Sequence, residues 1–583
     1  MTYYELMIDL TKDKLYSGLL GHGLFSEHLP PVFTSEPFLN YFMTLEASPP
    51  HIGNVKEFFD YSMSEEDFKK YCKKYCKKGD SGKSKGELIS YKSIRNTGVP
   101  RLLSIPNPFV YQKLCYCLKE NWGEICEHFK KHTEGQSHKI SRIHIRRLKD
   151  TEALLEMGDY GEEIDFDEAP ESGEVFRMRS EDWKTDGTPE NDLHIGSRYK
   201  VEADVSNCFP SIYSHAIPWA LSGKDIAKTI RQGTWDNCLD CRTRNLSDGE
   251  TTGMPIGPHA SNLIAEIILV CVDSALQNKW KFVRKIDDYI CYVKTIEDAE
   301  RFLLDLEKQL EHFKLRLNSK KVMILKLPQT AEDSWVNELD NIRHYQRKSG
   351  RSKEEDGVIG SDKEHEEKTQ NTNNAYLDYK SVRWYFDTAI KQVEAESDAA
   401  IFKYAIKTIG GQALSENAKK YTVATMMHLC HIYPYLIRVM DDLVFAKFLI
   451  GDNIVATVKG FADNIFHELI NTNCYEGAAY CLYFALKYGF EINQIDYPVI
   501  LQSDDCVLMV LGYLYVKRFG SAGELKQFNG KANELIGANE GTCSFESNWL
   551  FAYEVLPITK LSRFPEFAKL KESRISFVKS EYR

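Results

Sequence analysis

The sequence predicts an α+β fold over its first two thirds, followed by an all-helical C-terminal region. Three observations carry this. Strand-like alternation and hairpin signals gather between Tyr199 and Val293; residues 346–374 contain no Phe, Trp or Tyr; and beyond them the apolar residues recur at helical spacing. The aromatic-free stretch keeps only Val358 and Ile359 as large aliphatics, too little apolar surface to offset the entropy of ordering. The organisation expected is an N-terminal region over 1–195, a chemistry-bearing region over 196–345, a polar linker or mobile loop over 346–375 and a helical region over 376–583.

Each element has its own signal. In Tyr199–Phe209, Val201, Ala203 and Val205 alternate with polar residues, a strand pattern with Asp204 at its end. Phe282–Val293 holds two short β-prone runs interrupted by Asp287 and Asp288, as the turn of a hairpin would be. Between them Gly253-Met-Pro255-Ile-Gly257-Pro258 forms a rigid loop leading into an apolar helix over Asn262–Leu276. After the linker, Val382, Tyr385, Phe386, Ala389, Ile390 and Val393 make one helical stripe. Asp398 can cap a second helix, with Ile401, Ala405 and Ile409, that Gly410-Gly411 ends. Similar segments run on through Leu514 without a strict period, suggesting a stack of irregular, HEAT-like repeats.

Composition excludes several classes. The 583 residues are 43% hydrophobic and 27% charged, which fits neither wholesale disorder nor a fibrous repeat. The richest apolar stretch, Asn262–Leu276, is broken by Glu266 and Asp273, so no membrane span is expected. The N-terminus lacks a basic region before an apolar core, and fifteen cysteines without framework spacing fit free thiols, so a cytoplasmic protein is expected. The net charge of -11 argues against a general nucleic-acid coat. The charge is uneven, however: Phe68–Arg147 has 19 basic against 6 acidic residues, and Asp150–Glu174 has 11 acidic and no basic ones. The basic stretch could neutralise phosphates, or both runs could be solvated faces.

The order of Asp204, the Gly/Pro loop and Asp287-Asp288 suggests phosphoryl chemistry. Nucleotidyl transfer uses two Mg²⁺ ions about 3.5–4 Å apart, one activating the attacking oxygen and one holding the leaving phosphates. Mg²⁺ takes hard oxygen ligands, typically a few carboxylates plus substrate phosphate. An acid on a strand end and another on a hairpin turn would supply them from rigid elements. The chain carries two other acid pairs as controls. Asp504-Asp505 reads as a helix cap and Asp441-Asp442 as a surface or turn pair.

These residues resemble the reverse-transcriptase palm. Asp204 with Phe209 resembles its first motif, Gly253-x-Pro255-x-Gly257-x-x-x-Ser261 its second, and Ile286-Asp287-Asp288 its third. Leu317-Asn318-x-x-Lys321 resembles the motif that follows, and Val99–Pro106 the fingers segment. Ser211–Leu221, the Gly/Pro loop, Gly23–Glu27 and Pro30–Ser35 are similar to the bacterial abortive-infection reverse transcriptases, the AbiA/AbiK-like "unknown group". The likeness covers roughly residues 20–325, and the helical tail matches that group in general architecture.

The resemblance implies roles. Asp204 and Asp287 would ligate two Mg²⁺ (or Mn²⁺) ions with the Val205 carbonyl, and Asp288 would be a secondary ligand. Phe209 would exclude a ribose 2′-OH, implying dNTPs; Pro255 and Gly257 would let backbone approach the nucleotide. Arg101 would pair with the triphosphate and Lys321 would protonate the leaving pyrophosphate, with plain surface solvation the rival reading for both. Ile256 stands where many relatives have Gln, and Lys285 where many have Tyr, which puts faithful template copying in doubt. The group implies template-independent synthesis from a tyrosine of the enzyme, a DNA product covalently attached to it, homo-oligomers and antiphage defence. Among 32 tyrosines the residues do not select one; Tyr41 is a candidate whose bland role is core packing.

Rival readings are a templated RNA-directed DNA polymerase of retron or intron type, bound to an RNA template or non-coding RNA, and an RNA polymerase or cyclic-nucleotide synthase. A third is a non-catalytic helical-repeat binding protein with a decayed palm. Other motifs carry less. Gly82-Lys83-Ser84 lacks the first glycine of a phosphate loop, Cys238-x-x-Cys241 lacks a second ligand pair, and Cys72 and Cys76 can pack as small hydrophobes. His215 is expected to make an ordering hydrogen bond rather than bind metal.

Overall fold

The structure is a computed structural model that describes residues 10–47, 85–141, 144–147, 176–179, 189–230, 233–329, 334–342, 347–348, 375–449, 453–537 and 543–583. The acidic run 150–174, most of the polar segment 346–375, Cys72, Cys76 and the glycine-lysine-serine at 82–84 lie outside these residues. Two compact units emerge: Met1–Tyr91, Leu102–Gln329 and Leu525–Arg583 form one; Lys92–Arg101 and Thr330–Glu524 form the other.

The first unit opens with α1 (Lys12–Gly21), whose N-cap Thr11 accepts from the Lys14 amide, and α2 (Glu36–Ala47). A two-stranded ribbon follows, β1 (Leu88–Ser93) with β2 (Arg101–Pro106), whose tip is counted with the second unit. Next come α3 (Pro108–Glu120) and α4 (Trp122–Thr133). Asn107 caps α3 by accepting from the amides of Phe109 and Val110, and Pro108 begins it without wasting a hydrogen-bond donor. A second ribbon pairs β3 (His144–Arg147) with β4 (Phe176–Arg179).

The palm-like part is one four-stranded antiparallel sheet with helices packed on it. In chain order it contains β5 (Tyr199–Asp204), α5 (Ala216–Ser222), α6 (Trp235–Asn245), α7 (His259–Leu276), β6 (Phe282–Lys285), β7 (Asp288–Val293), α8 (Ile296–His312) and β8 (Met323–Lys326). The strand order is β6-β7-β5-β8, so the hairpin β6–β7 lies directly beside β5. Helix α8 buries Ala299, Phe302, Leu306 and Leu310, one face at three- and four-residue steps, and Thr295 caps it by accepting from Asp298. Helix α7 is long and apolar enough to cross a membrane by length and composition alone, but 78% of it is buried inside the protein. It is a core helix, apolar on nearly every side because it is surrounded.

The second unit is helical: α9 (Tyr379–Glu396), α10 (Ala400–Gly410), α11 (Glu416–Ile432), α12 (Asn453–Asn471), α13 (Tyr475–Tyr488) and α14 (Cys506–Phe519). The stripe read from sequence is buried in α9 at Val382, Tyr385, Phe386, Ala389 and Val393. Asp398 accepts from the Ala400 amide at 2.8 Å at the start of α10. Neighbours in sequence pack on each other, α9 with α10 and α11, α12 with α13, and α13 with α14. Asp505 caps α14 by accepting from Leu508, as the sequence suggests for the pair at 504–505. Asp441 differs from expectation: it is buried and accepts from Tyr483 Oη at 2.5 Å, Lys487 Nζ at 2.6 Å and Tyr488 Oη at 2.7 Å. Its charge is held by three donors, so burial is tolerated.

The helical region read as 376–583 is divided. Residues from Leu525 onward belong with the N-terminal unit. Thr34 N donates to Phe577 O and Lys579 N to Val32 O, both at 2.9 Å, so the last residues run alongside the segment between α1 and α2. Phe577 packs on Phe25 and Phe38 with ring centroids 6.1 and 5.4 Å apart, and Phe567 meets Phe109 at 5.0 Å. Sequence proximity suggested one contiguous helical region; aromatic burial against the N-terminus decided otherwise.

Candidate active site

Asp204 is the last residue of β5, and its register partner on β7 is Asp288, the first residue of that strand. Lys285 pairs with Asp288 across the hairpin, so the turn is the two residues Ile286 and Asp287. Val205 N donates to Asp287 O at 3.1 Å, which ties the turn to the end of β5. Three carboxylates thereby face one point: one ligand atom from each of Asp204, Asp287 and Asp288 lies within 4.8 Å of the others. Asp204 is buried, Asp287 half-buried and Asp288 exposed, so the cluster sits at a surface with its negative charge accessible. Partial burial, with the charges of Asp287 and Asp204, pushes the Asp288 carboxyl up to about 6. Such a trio can hold a divalent metal through hard oxygen ligands.

Two groups soften that repulsion. Asn318 Nδ2 donates to Asp204 Oδ2 at 3.0 Å, and Asn318 N donates to the Asp204 carbonyl at 2.7 Å. Lys321 Nζ lies 3.1 Å from Asp204 Oδ2 while its side chain stays largely in solvent. The motif that ends in Lys321 is thus folded directly onto the first acid.

The turn itself is strained. Ile286 has φ +55°, a left-handed conformation that a β-branched side chain adopts only at a cost of about 1–3 kcal/mol. What holds it is Arg284, fully buried beneath the turn. Its Nη1 donates to the Ile286 carbonyl at 2.8 Å, Nη1 and Nη2 make a 2.9 Å fork with Glu266, and Nη2 and Nε reach Asp273 at 2.6 to 3.0 Å. Glu266 and Asp273 stand two turns apart on one side of α7, so one guanidinium ties that helix to the acid-bearing hairpin. Two acids share one cation here, and burial with the Glu266 charge pushes Asp273 up to about 6 although Arg284 opposes it. In the sequence these acids register only as interruptions of an apolar run. Their spacing of seven, with a lone Arg among the apolar residues of β6, is the signal that could have found the cluster.

The Gly/Pro loop is stitched to the first motif: Gly253 N donates to Ile212 O and Met254 N to Phe209 O, both at 2.9 Å. Phe209 lies buried in the short turn Cys208–Ser211 that follows β5. Gly257 has φ +129°, and a Cβ there would come 3.1 Å from the Ser104 carbonyl of β2. Ser104 N donates to the Ile256 carbonyl at 2.9 Å, so the close approach that glycine permits is to β2. Pro255 lies between these two anchors. Arg101 is exposed at the start of β2. Tyr41 is half-buried on α2 against Phe42 and hydrogen-bonded to Ser573. His215 Nδ1 meets Asp240 Oδ2 at 2.6 Å, an ordering contact. Cys238 and Cys241 are buried on α6.

Residues 149–368 match the family model described as "Reverse transcriptase (RNA-dependent DNA polymerase)". The chain contains a reverse transcriptase domain. The protein is therefore a nucleotidyltransferase of that type, and the matched range spans all three carboxylates, the Gly/Pro loop and Lys321. Among the curated proteins nothing matches. Among solved structures, telomerase from Candida albicans in complex with the TWJ fragment of telomeric RNA is similar at 10% identity. That alignment covers 83% of this chain and 70% of the other, with a TM-score of 0.23, a likeness too loose to add detail to the reverse transcriptase domain.

Proposed function

We propose that this chain is an AbiA/AbiK-like abortive-infection enzyme that polymerises DNA from dNTPs, without a conventional template and from one of its own tyrosines. The observation that carries the polymerase reading is the convergence of Asp204, Asp287 and Asp288 within a reverse transcriptase domain. Asp204 and Asp287 would hold two Mg²⁺ ions, with Asp288 and the Val205 carbonyl assisting. Bound there, the ions would activate the attacking oxygen and stabilise the leaving phosphates. Lys321, 3.1 Å from Asp204, would pass from that carboxylate to a phosphate or give its proton to pyrophosphate. Phe209 would select against a 2′-OH, Arg101 would pair with the triphosphate, and Pro255 and Gly257 would shape the nucleotide's floor.

Ile256 and Lys285 depart from the residues common at those reverse-transcriptase positions, which puts faithful template copying in doubt; template independence itself is what the resemblance implies. The thirteen described cysteines are all free, which supports a cytoplasmic setting. The helical second unit, HEAT-like in this reading, would serve self-association. A second reading, a templated RNA-directed DNA polymerase, is favoured by the description of the matching family.

One assay addresses both. Purified protein is incubated with each labelled dNTP and Mg²⁺, with and without a defined RNA, then denatured. Label that stays on the protein without RNA supports tyrosine priming, and mass spectrometry locates the residue; sequence copied from the RNA supports the templated reading. Asp287→Asn is expected to lower incorporation by about 100-fold or more, since metal-held charge stabilisation is worth several kcal/mol. Undiminished synthesis by a folded Asp287→Asn protein would refute the metal assignment.

A further inference from the structure

A second cluster of metal-ligand type lies elsewhere in the first unit and shares no residue with the carboxylates. His128 and His132 stand four residues apart on α4, so their imidazoles project from one face with ring centroids 4.6 Å apart. Cys271 faces them from α7, with its sulfur 3.8 Å from His128 Nε2 and 3.7 Å from His132 Nε2. One ligand atom from each of the three lies within 4.8 Å of the others. We propose that His128, His132 and Cys271 bind a zinc ion that clips α4 to α7.

The distances suit the ion. Zinc–nitrogen bonds of about 2.05 Å and zinc–sulfur bonds of about 2.3 Å give a tetrahedral N–S edge of roughly 3.6 Å. Both sulfur–nitrogen separations are within 0.2 Å of that edge. Two histidines at i and i+4 with a thiol from a facing helix is also a donor set that favours a borderline ion over Mg²⁺. His128 is buried, whereas His132 and Cys271 are only partly so, and three protein donors leave the fourth tetrahedral position to water.

His128 Nε2 lies 2.9 Å from the Ile267 carbonyl, and the Cys271 thiol 3.6 Å from the same oxygen. Zinc binding replaces those hydrogen bonds. The imidazole proton moves to Nδ1, the thiol proton leaves to solvent, and the ion gains one Zn–S and two Zn–N bonds for one proton released. Its role is structural, because α7 carries on another part of its surface Glu266 and Asp273, which hold Arg284 under the acid-bearing turn.

The test loads the purified full chain with Zn²⁺ in excess Mg²⁺, dialyses it and counts retained zinc, with Co²⁺ as the spectroscopic substitute. Wild type is expected to keep one zinc per chain and, with cobalt, to show thiolate-to-metal absorption. Cys271→Ser should lose that absorption, and His132→Asn should weaken zinc binding by at least about tenfold, each with unchanged circular dichroism. Asp287→Asn should retain zinc as wild type does. Failure of wild type to retain zinc, zinc retention unaffected by Cys271→Ser, or loss on Asp287→Asn would each overturn the proposal, whatever the polymerase assay shows.

Discussion

At the scale of single residues, the carboxylates depend on a group that does not touch them. Ile286 sits in a left-handed conformation and Arg284 fixes its carbonyl, so the direction in which Asp287 points is set from below. Removing the guanidinium would also leave Glu266 and Asp273 buried together without a countercharge. Arg284→Ala is therefore expected to destabilise the protein by about 3–5 kcal/mol in urea unfolding, the usual consequence of breaking a buried ion pair from one side. A loss below about 1 kcal/mol would mean that water or a relaxed packing replaces the cation. The three acids were legible because each stands at the boundary of a recognisable strand or turn. Arg284 was not, because its partners lie 11 and 18 residues away and nothing local links them.

At the scale of elements, the Gly/Pro loop acts as a spacer between β5, β2 and α7. The motif requires glycine at 257 both for φ +129° and because the Ser104 carbonyl occupies the place of a side chain. Gly257→Ala should cost about 1–3 kcal/mol of stability, read as a fall in thermal midpoint, through backbone strain and the displaced strand. If the glycine served only the nucleotide, stability would be unchanged and the dNTP KM alone would rise. Strands and helices around this loop were readable from alternation and stripes. The docking of the loop on β2 was not, since it is a backbone contact between segments about 150 residues apart.

At the scale of the molecule, the two units are each closed by long-range contacts. In the first, Phe577 joins Phe25 and Phe38, so Phe577→Ala is expected to cost about 3–5 kcal/mol in denaturant unfolding although it lies near the end of the chain. In the second, Glu476 is buried and accepts from Ser93 Oγ at 2.9 Å and from the Ile94 amide at 2.5 Å. Burial pushes its carboxyl from 4.5 up to about 7 against those donors. A raised value means the folded state holds the proton more tightly than the unfolded one. That contribution is complete below about pH 4.5 and lost as pH rises through about 7. Glu476→Gln keeps an acceptor but no charge, so its stability relative to wild type should increase between about pH 5 and about pH 8. A constant difference across that range would exclude a buried, titrating carboxyl.

Local pattern alone determined the strand end that bears Asp204, the turn that bears Asp287 and the helical character of residues after 375; the reverse-transcriptase reading of their order rested on resemblance to that palm. Those features follow from alternation, periodicity and turn chemistry within short windows. Only the tertiary structure decided that the carboxylates meet, that Arg284 ties their hairpin to α7 and that Leu525–Arg583 rejoins the N-terminal part of the chain. Each of these is a pairing of buried charge or apolar surface across long sequence separation, where the energy comes from excluding water and carries no local spacing to read.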